Sequence, residues 1–138
     1  MPNKHRISLV LRIAVAFAFL YPPIAAFFNP DGWVWFVPTF VATVMPLTVF
    51  LHLFGVGEIM IALGILFMKN PFYPALAAAG VLAGIVIVDT VMEGSFDWAM
   101  FDVVFRDISI LLAAVALMLL HQKPKGGTLP TPPPPSNE

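Results

Sequence analysis

The sequence predicts an all-α membrane protein, a four-helix transmembrane bundle with one additional segment on its outer face. Composition is the first observation behind this prediction, because 59% of the 138 residues are hydrophobic and only 11% are charged. Soluble globular domains carry about 25% charged residues. The mean hydropathy of +0.90 is the second observation. The third is the presence of apolar runs long enough to cross about 30 Å of hydrocarbon.

Four such runs are predicted to be membrane-spanning helices, at residues 9–28, 51–68, 72–92 and 101–121. A fifth apolar run, residues 33–50, contains Pro38 and Pro46 and begins with two tryptophans. Proline inside a helix removes a hydrogen bond and clashes with the preceding turn, and tryptophan favours the headgroup level of a bilayer. We therefore predict that residues 33–50 form an interfacial or re-entrant segment.

The distribution of loop charges predicts the orientation. With four spans and a cytoplasmic N terminus, the basic residues outside the spans all fall on the cytoplasmic side, namely Lys4, Arg6, Lys69, Lys123 and Lys125. Cytoplasmic loops of membrane proteins carry this excess. We expect a multi-pass protein of the cell membrane, in bacteria the inner membrane, with both termini in the cytoplasm. Residues 1–121 form a single bundle domain, and the proline-rich residues 122–138 form a disordered cytoplasmic tail.

Most ionisable residues within the spans are predicted to gather beneath the outer face. At a rise of about 1.5 Å per residue, Glu58 lies roughly 10 Å below that face. A charge at the bilayer centre costs about 3 kcal/mol or more, so charges at such depths persist when they are paired. We expect Arg106 to be the hub of the cluster. Its members are His52, Glu58, Asp89, Asp102, Arg106 and Asp107.

The charges of this cluster do not balance, since one guanidinium cannot neutralise four carboxylates. Burial favours the neutral form of a carboxyl group, so we expect Glu58 or Asp107 to carry a proton for part of the time. Two interpretations stay open. The cluster is either a structural network that fixes helix register or a site for a proton, ion, quinone or polar substrate reached from the outer face.

Two further features of the spans concern their packing and their edges. Arg12 lies near the cytoplasmic end of the first span, where its long side chain can reach the headgroups as a membrane anchor. A role for Arg12 in a site is the alternative. The third span contains Gly80 and Gly84 amid alanines, and such small residues predict close packing with other helices of the same chain, with dimerisation as the alternative.

The residues present exclude several kinds of chemistry. The sequence has no cysteine, which removes disulfides, thiolate chemistry and iron–sulfur ligation. His52 and His121 lie at opposite ends of their spans, so they cannot share a haem, and we predict no metal site. The net charge of −1 offers no basic field for nucleic acid. We predict no intrinsic cofactor and no self-sufficient catalytic site, and whether the chain is part of an enzyme stays open.

Two stretches of the spans carry a distinctive pattern. In HLFGVGEIMIALGILF, residues 52–67, a glutamate stands among glycines and leucines, and in FRDISILLAAVALML, residues 105–119, an Arg-Asp pair precedes a Leu- and Ala-rich run. Together with the early Arg12, these stretches resemble the DoxX-like family of small four-helix membrane proteins over residues 9–121. The resemblance implies that fold and an association with membrane redox complexes, among them a thiosulfate:quinone oxidoreductase.

The leading functional hypothesis is an accessory subunit of a quinone-linked membrane redox complex. In it the polar cluster holds a quinone headgroup or a proton, and a cofactor-bearing partner protein supplies the electron carrier. A small-solute or proton-coupled carrier that uses the same cluster is the alternative, and a purely structural membrane protein is the third. All three hypotheses make the lipid bilayer a partner of the chain.

Overall fold

The part of the chain that the structure describes contains four α-helices. The computed structural model describes residues 3–91 and 98–122, with the backbone alone for residues 89 and 98–102. The helices are α1 (Lys4–Phe28), α2 (Leu47–Phe67), α3 (Phe72–Val91) and α4 (Trp98–His121). Among the described residues there is no strand, which confirms the all-α prediction. The predicted tail lies outside the described residues apart from its first residue, Gln122.

Local sequence signals set where the helices begin. The side chain of Asn3 accepts a hydrogen bond of 3.1 Å from the backbone N–H of His5, so α1 starts before the predicted span. Pro46 directly precedes α2, where a missing N–H costs nothing because the first N–H groups of a helix have no helical partner. Residues 47–50 therefore form the first turn of α2, and our assignment of them to the outer segment was wrong.

Three short 3₁₀ helices connect α1 to α2 and take the place of the predicted outer segment. They are Pro30–Gly32, Val34–Phe36 and Thr39–Thr43, and residues 30–43 are called the 3₁₀ segment below. Val37 and Val41 are buried against the bundle, whereas the side chain of Trp35 is 87% exposed. The segment therefore lies on one end of the bundle as a cover with an apolar outer face.

The helices pack in chain order around the bundle. The pairs α1–α2 and α3–α4 make the most extensive contacts, and α1–α4 and α2–α3 contacts close the ring. A hydrogen bond of 3.1 Å between Ser8 and His121 joins the beginning of α1 to the end of α4. We call this the terminal end of the bundle and the opposite end the 3₁₀ end.

Three of the helices are long and apolar enough to cross a membrane, namely α1, α2 and residues Val103–His121 of α4. The described apolar stretch of α3, Phe72–Val88, is shorter. Large apolar side chains cover the exterior; for example, Val10, Phe17 and Met60 are 66%, 71% and 68% exposed. An exterior of this kind suits lipid rather than water.

Alanines and a few larger side chains fill the core, which lies toward the terminal end. The buried cluster contains Val15, Ala16, Phe19, Ala62, Ile65, Ala75, Ala78, Ala79, Leu82, Ala114 and Leu117. Small side chains allow helix backbones to approach closely. Gly80 and Gly84 face outward instead, with no atom within 4 Å of an added Cβ. The prediction that these two glycines pack within the chain was therefore wrong.

Candidate functional site

An ion pair lies inside α4, in the half nearer the 3₁₀ end. The Nε of Arg106 donates a hydrogen bond to Oδ1 of Asp107 at 2.9 Å. The Asp107 side chain is 7% exposed and that of Arg106 is 53% exposed, so the carboxylate points inward while the guanidinium reaches around the helix from outside. Adjacent helix residues ordinarily point about 100° apart. The arginine side chain is long enough to bend back and place its Nε beside the Asp107 carboxylate.

A second carboxyl group comes to the same region from α2. Glu58 is half-buried and follows the 3-4-3 spacing of Gly55, Ala62 and Ile65, which are buried along one face of that helix. Asp107 on α4 and Glu58 on α2 are therefore the two described carboxyl groups that lie within the apolar helices. Arg106 is the cation paired with Asp107.

Glu58 lies near the middle of α2. At about 1.5 Å per residue, it lies about 16 Å from the first residue of α2 and about 14 Å from the last. The predicted depth of roughly 10 Å below the outer face was counted from Leu51, whereas α2 begins at Leu47. That depth stays a prediction.

The other residues of the predicted cluster are divided between different places. The Nδ1 of His52 lies 2.6 Å from the carbonyl oxygen of Thr48, and because a carbonyl oxygen only accepts, Nδ1 carries the proton. The exposed His52 ring contacts the edge of Phe27 and lines an open groove of about 340 Å³ between α1 and α2 at the 3₁₀ end. The side chains of Asp89 and Asp102 lie outside the described residues.

Arg12 takes a position that the sequence did not indicate. Its guanidinium donates hydrogen bonds to the carbonyl oxygens of Ile65 (3.3 Å), Met68 (2.8 Å) and Lys69 (3.1 Å). The last carbonyls of a helix have no helical partner and bear partial negative charge. Arg12 therefore caps the C terminus of α2 from the first helix.

The Arg12 cap continues into a hydrogen-bonded chain that reaches the last helix. Nε of Arg12 donates to the hydroxyl of Ser8 at 3.3 Å, and this buried hydroxyl lies 3.1 Å from Nε2 of His121. The Nδ1 of His121 donates to the carbonyl oxygen of Leu117 at 3.0 Å, so Nε2 accepts from Ser8. The chain ties three helices together at the terminal end.

Sequence reasoning missed this connection although one signal was present. Ser8 and Arg12 are four residues apart and therefore neighbours on one helix face, and the four-span topology brings His121 to the same end. The backbone carbonyls that Arg12 caps carry no signal of their own, because every residue has one. Depth and spacing together could have found the Ser8–His121 pair, and the cap could not have been found.

The arrangement limits the chemistry available to the site. No group of three or more His, Cys, Asp or Glu side chains that could hold a metal ion lies together among the described residues. Glu58 and Asp107 can accept hydrogen bonds or bind a proton, and Arg106 can donate to a carbonyl or anionic group. The site can thus recognise a polar group or hold a proton.

Comparisons with protein-family models, with curated proteins and with solved structures gave no match to this chain. The resemblance to the DoxX-like family rests on residues 52–67, residues 105–119 and Arg12, and it stays a prediction. Arguments about function accordingly depend on the geometry of the chain itself.

Proposed function

We propose that this chain is a small integral membrane protein that acts as an accessory subunit of a quinone-linked redox complex. One observation carries the proposal: Asp107 is buried in an apolar bundle and paired with Arg106, and a second carboxyl group, Glu58, is half-buried on another helix. Removing such charges from water costs several kcal/mol per ion unless partners compensate. Ionisable groups in such surroundings are candidates for function.

The long apolar helices and their exposed apolar side chains support membrane insertion. The orientation we propose follows the basic loop residues, with the terminal end in the cytoplasm and the 3₁₀ end on the outer side, in bacteria the inner membrane. In this orientation the exposed tryptophan of the 3₁₀ segment lies at the level of the outer headgroups, where its ring is favoured. The 3₁₀ segment is then the interfacial element of the protein.

The chemistry of the cluster suits a quinone headgroup. A guanidinium donates to the carbonyl oxygen of a quinone, and a carboxylate accepts from the hydroxyl of a quinol. With both carboxyl groups ionised, the Glu58, Arg106 and Asp107 set has a formal charge of −1, so a bound proton balances it. The chain supplies no electron carrier in this proposal, and a cofactor-bearing partner provides one.

Gentle extraction in native lipid, followed by mass spectrometry, tests the proposal. We expect co-purification of a redox partner and of quinone, with bound quinone reduced at least tenfold in Glu58→Gln and Arg106→Gln. Asp31→Asn is the matched control, because Asp31 is an exposed acid in the 3₁₀ segment. Wild-type protein that carries neither partner nor quinone contradicts the proposal.

Two carboxyl groups within apolar helices, Glu58 and the buried Asp107, favour a second candidate, a proton-coupled carrier. Burial favours the neutral form of a carboxyl group, and a group that can gain and lose a proton is what a coupling site needs. Proton flux into proteoliposomes of the purified chain, abolished in Glu58→Gln and kept in Asp31→Asn, supports the carrier over the subunit. A Glu58→Leu/Arg106→Leu double variant that retains full stability and full cellular function supports a purely structural role.

A further inference from the structure

The terminal end of the bundle presents exposed basic side chains with no described acidic residue beside them. Lys4 and Arg6 lie in the first turn of α1, and Lys69 lies in the connection between α2 and α3. All three are exposed. The acidic side chains that the structure describes lie elsewhere, Asp31 at the 3₁₀ end and the other two inside the bundle. The terminal end is therefore positive.

These cations have no partners among the described residues. Within that part of the chain, the one ion pair joins Arg106 to Asp107, far from the terminal end. No described group makes a hydrogen bond to the side chain of Lys4, Arg6 or Lys69. The described residues therefore leave these charges available to a ligand.

The Arg12 cap strengthens the positive field at this end. Arg12 covers the carbonyl oxygen of Ile65 in the last turn of α2 and those of Met68 and Lys69 just after it, at 2.8–3.3 Å. It thereby offsets the partial negative charge at this helix end. The N terminus of α1 adds partial positive charge at the same end. An approaching anion therefore meets basic side chains that have no described partner. The carbonyl oxygens that would repel it already accept hydrogen bonds from Arg12.

We propose that Lys4, Arg6 and Lys69 bind the phosphate headgroups of anionic phospholipids in the adjoining leaflet. This inference rests on the membrane insertion proposed above. The occupant is a lipid rather than free phosphate because the surface continues directly into exposed apolar side chains of α1, Val10 at 66% and Ile13 at 54%, which suit acyl chains. Each basic residue near an anionic membrane surface contributes about fivefold to the affinity.

Lipid titration of the detergent-purified protein, followed by native mass spectrometry, tests the inference. We expect tighter binding of phosphatidylglycerol than of phosphatidylcholine, with a preference that weakens as salt is added. The Lys4→Gln/Arg6→Gln/Lys69→Gln variant should lose this preference, by a factor on the order of a hundred. Its matched control, Lys4→Arg/Arg6→Lys/Lys69→Arg, should keep the preference because it keeps the charges.

Each other outcome has a defined meaning. Equal affinity for the two lipids in the wild type, or an unchanged preference in the glutamine variant, overturns the inference. Competition by inorganic phosphate at the affinity of phosphatidylglycerol overturns the assignment to lipid. A protein that leaves the membrane on carbonate washing refutes the proposed membrane insertion instead. A protein that stays in the membrane without a lipid preference refutes the headgroup site alone.

Discussion

Replacing Arg12 with methionine should weaken the bundle more than the loss of any exposed charge. Arg12 is half-buried and holds the end of α2 through three carbonyl oxygens, at 2.8–3.3 Å. Methionine keeps an apolar stem of similar shape and removes all of the donors. The change therefore isolates the hydrogen bonds and the charge from side-chain packing.

The magnitude follows from the bonds lost. An interhelical hydrogen bond in a membrane protein contributes about 0.6 kcal/mol on average, so three contribute about 2 kcal/mol. A cation at a helix C terminus adds about 0.3–1 kcal/mol. We expect Arg12→Met to lower the free energy of unfolding by about 2–3 kcal/mol. Arg12→Lys keeps the charge but removes the planar set of guanidinium N–H donors. We expect it to lower the free energy of unfolding by about half as much.

Equilibrium unfolding in zwitterionic bicelles measures these differences. Arg6→Met is the matched control, because it removes an exposed arginine from the same end of α1 that makes no side-chain hydrogen bond among the described residues. Its free energy of unfolding should stay within about 0.5 kcal/mol of wild type. If Arg12→Met and Arg6→Met lose equal amounts, the cap contributes nothing and the argument fails.

Two further predictions concern packing and the 3₁₀ segment. Gly55→Ala places a Cβ 2.9 Å from the Cβ of Pro23 and should cost about 1–3 kcal/mol in the same assay. Gly57→Ala is its control, since nothing lies within 4 Å of the added Cβ and alanine favours the helix, so stability should not fall. In single-tryptophan variants, lipids brominated near the headgroup should quench Trp35, which is 87% exposed, more strongly than the half-buried Trp33. Stronger quenching of Trp35 by aqueous iodide than by such lipids contradicts its position at the interface.

The four helices could be predicted because apolar runs of this length have few alternatives in a chain with 11% charged residues. Their first residues could not be predicted from hydropathy, since Lys4 and Thr48 are not apolar and yet belong to helices. Capping by Asn3 and the position of Pro46 decide those boundaries. The predicted second span began at Leu51, one turn after the first residue of α2.

For the candidate site, the sequence predicts the level of each ionisable residue along its helix but not the direction of its side chain. Depth alone predicts similar levels for Glu58 and Asp107 on two helices, and the structure buries the Asp107 side chain and leaves Glu58 half-buried. The direction of a side chain depends on helix rotation, which a uniformly apolar sequence hardly specifies. That is why His52, placed at the correct end, lies beside the α1–α2 groove. Likewise Arg12 caps the end of α2, which hydropathy did not indicate, and its predicted role as a membrane anchor stays a prediction.

The bundle divides into two halves with different physical character, and the division explains where a site can form. The terminal half contains the alanine-rich core and the chain of hydrogen bonds from Arg12 to His121. The 3₁₀ half contains the open groove and the cover formed by the 3₁₀ segment. Glu58 stands one turn from core residue Ala62, at the border between the halves. The proposed ligand at Glu58 would therefore meet the edge of the alanine-rich core rather than its centre.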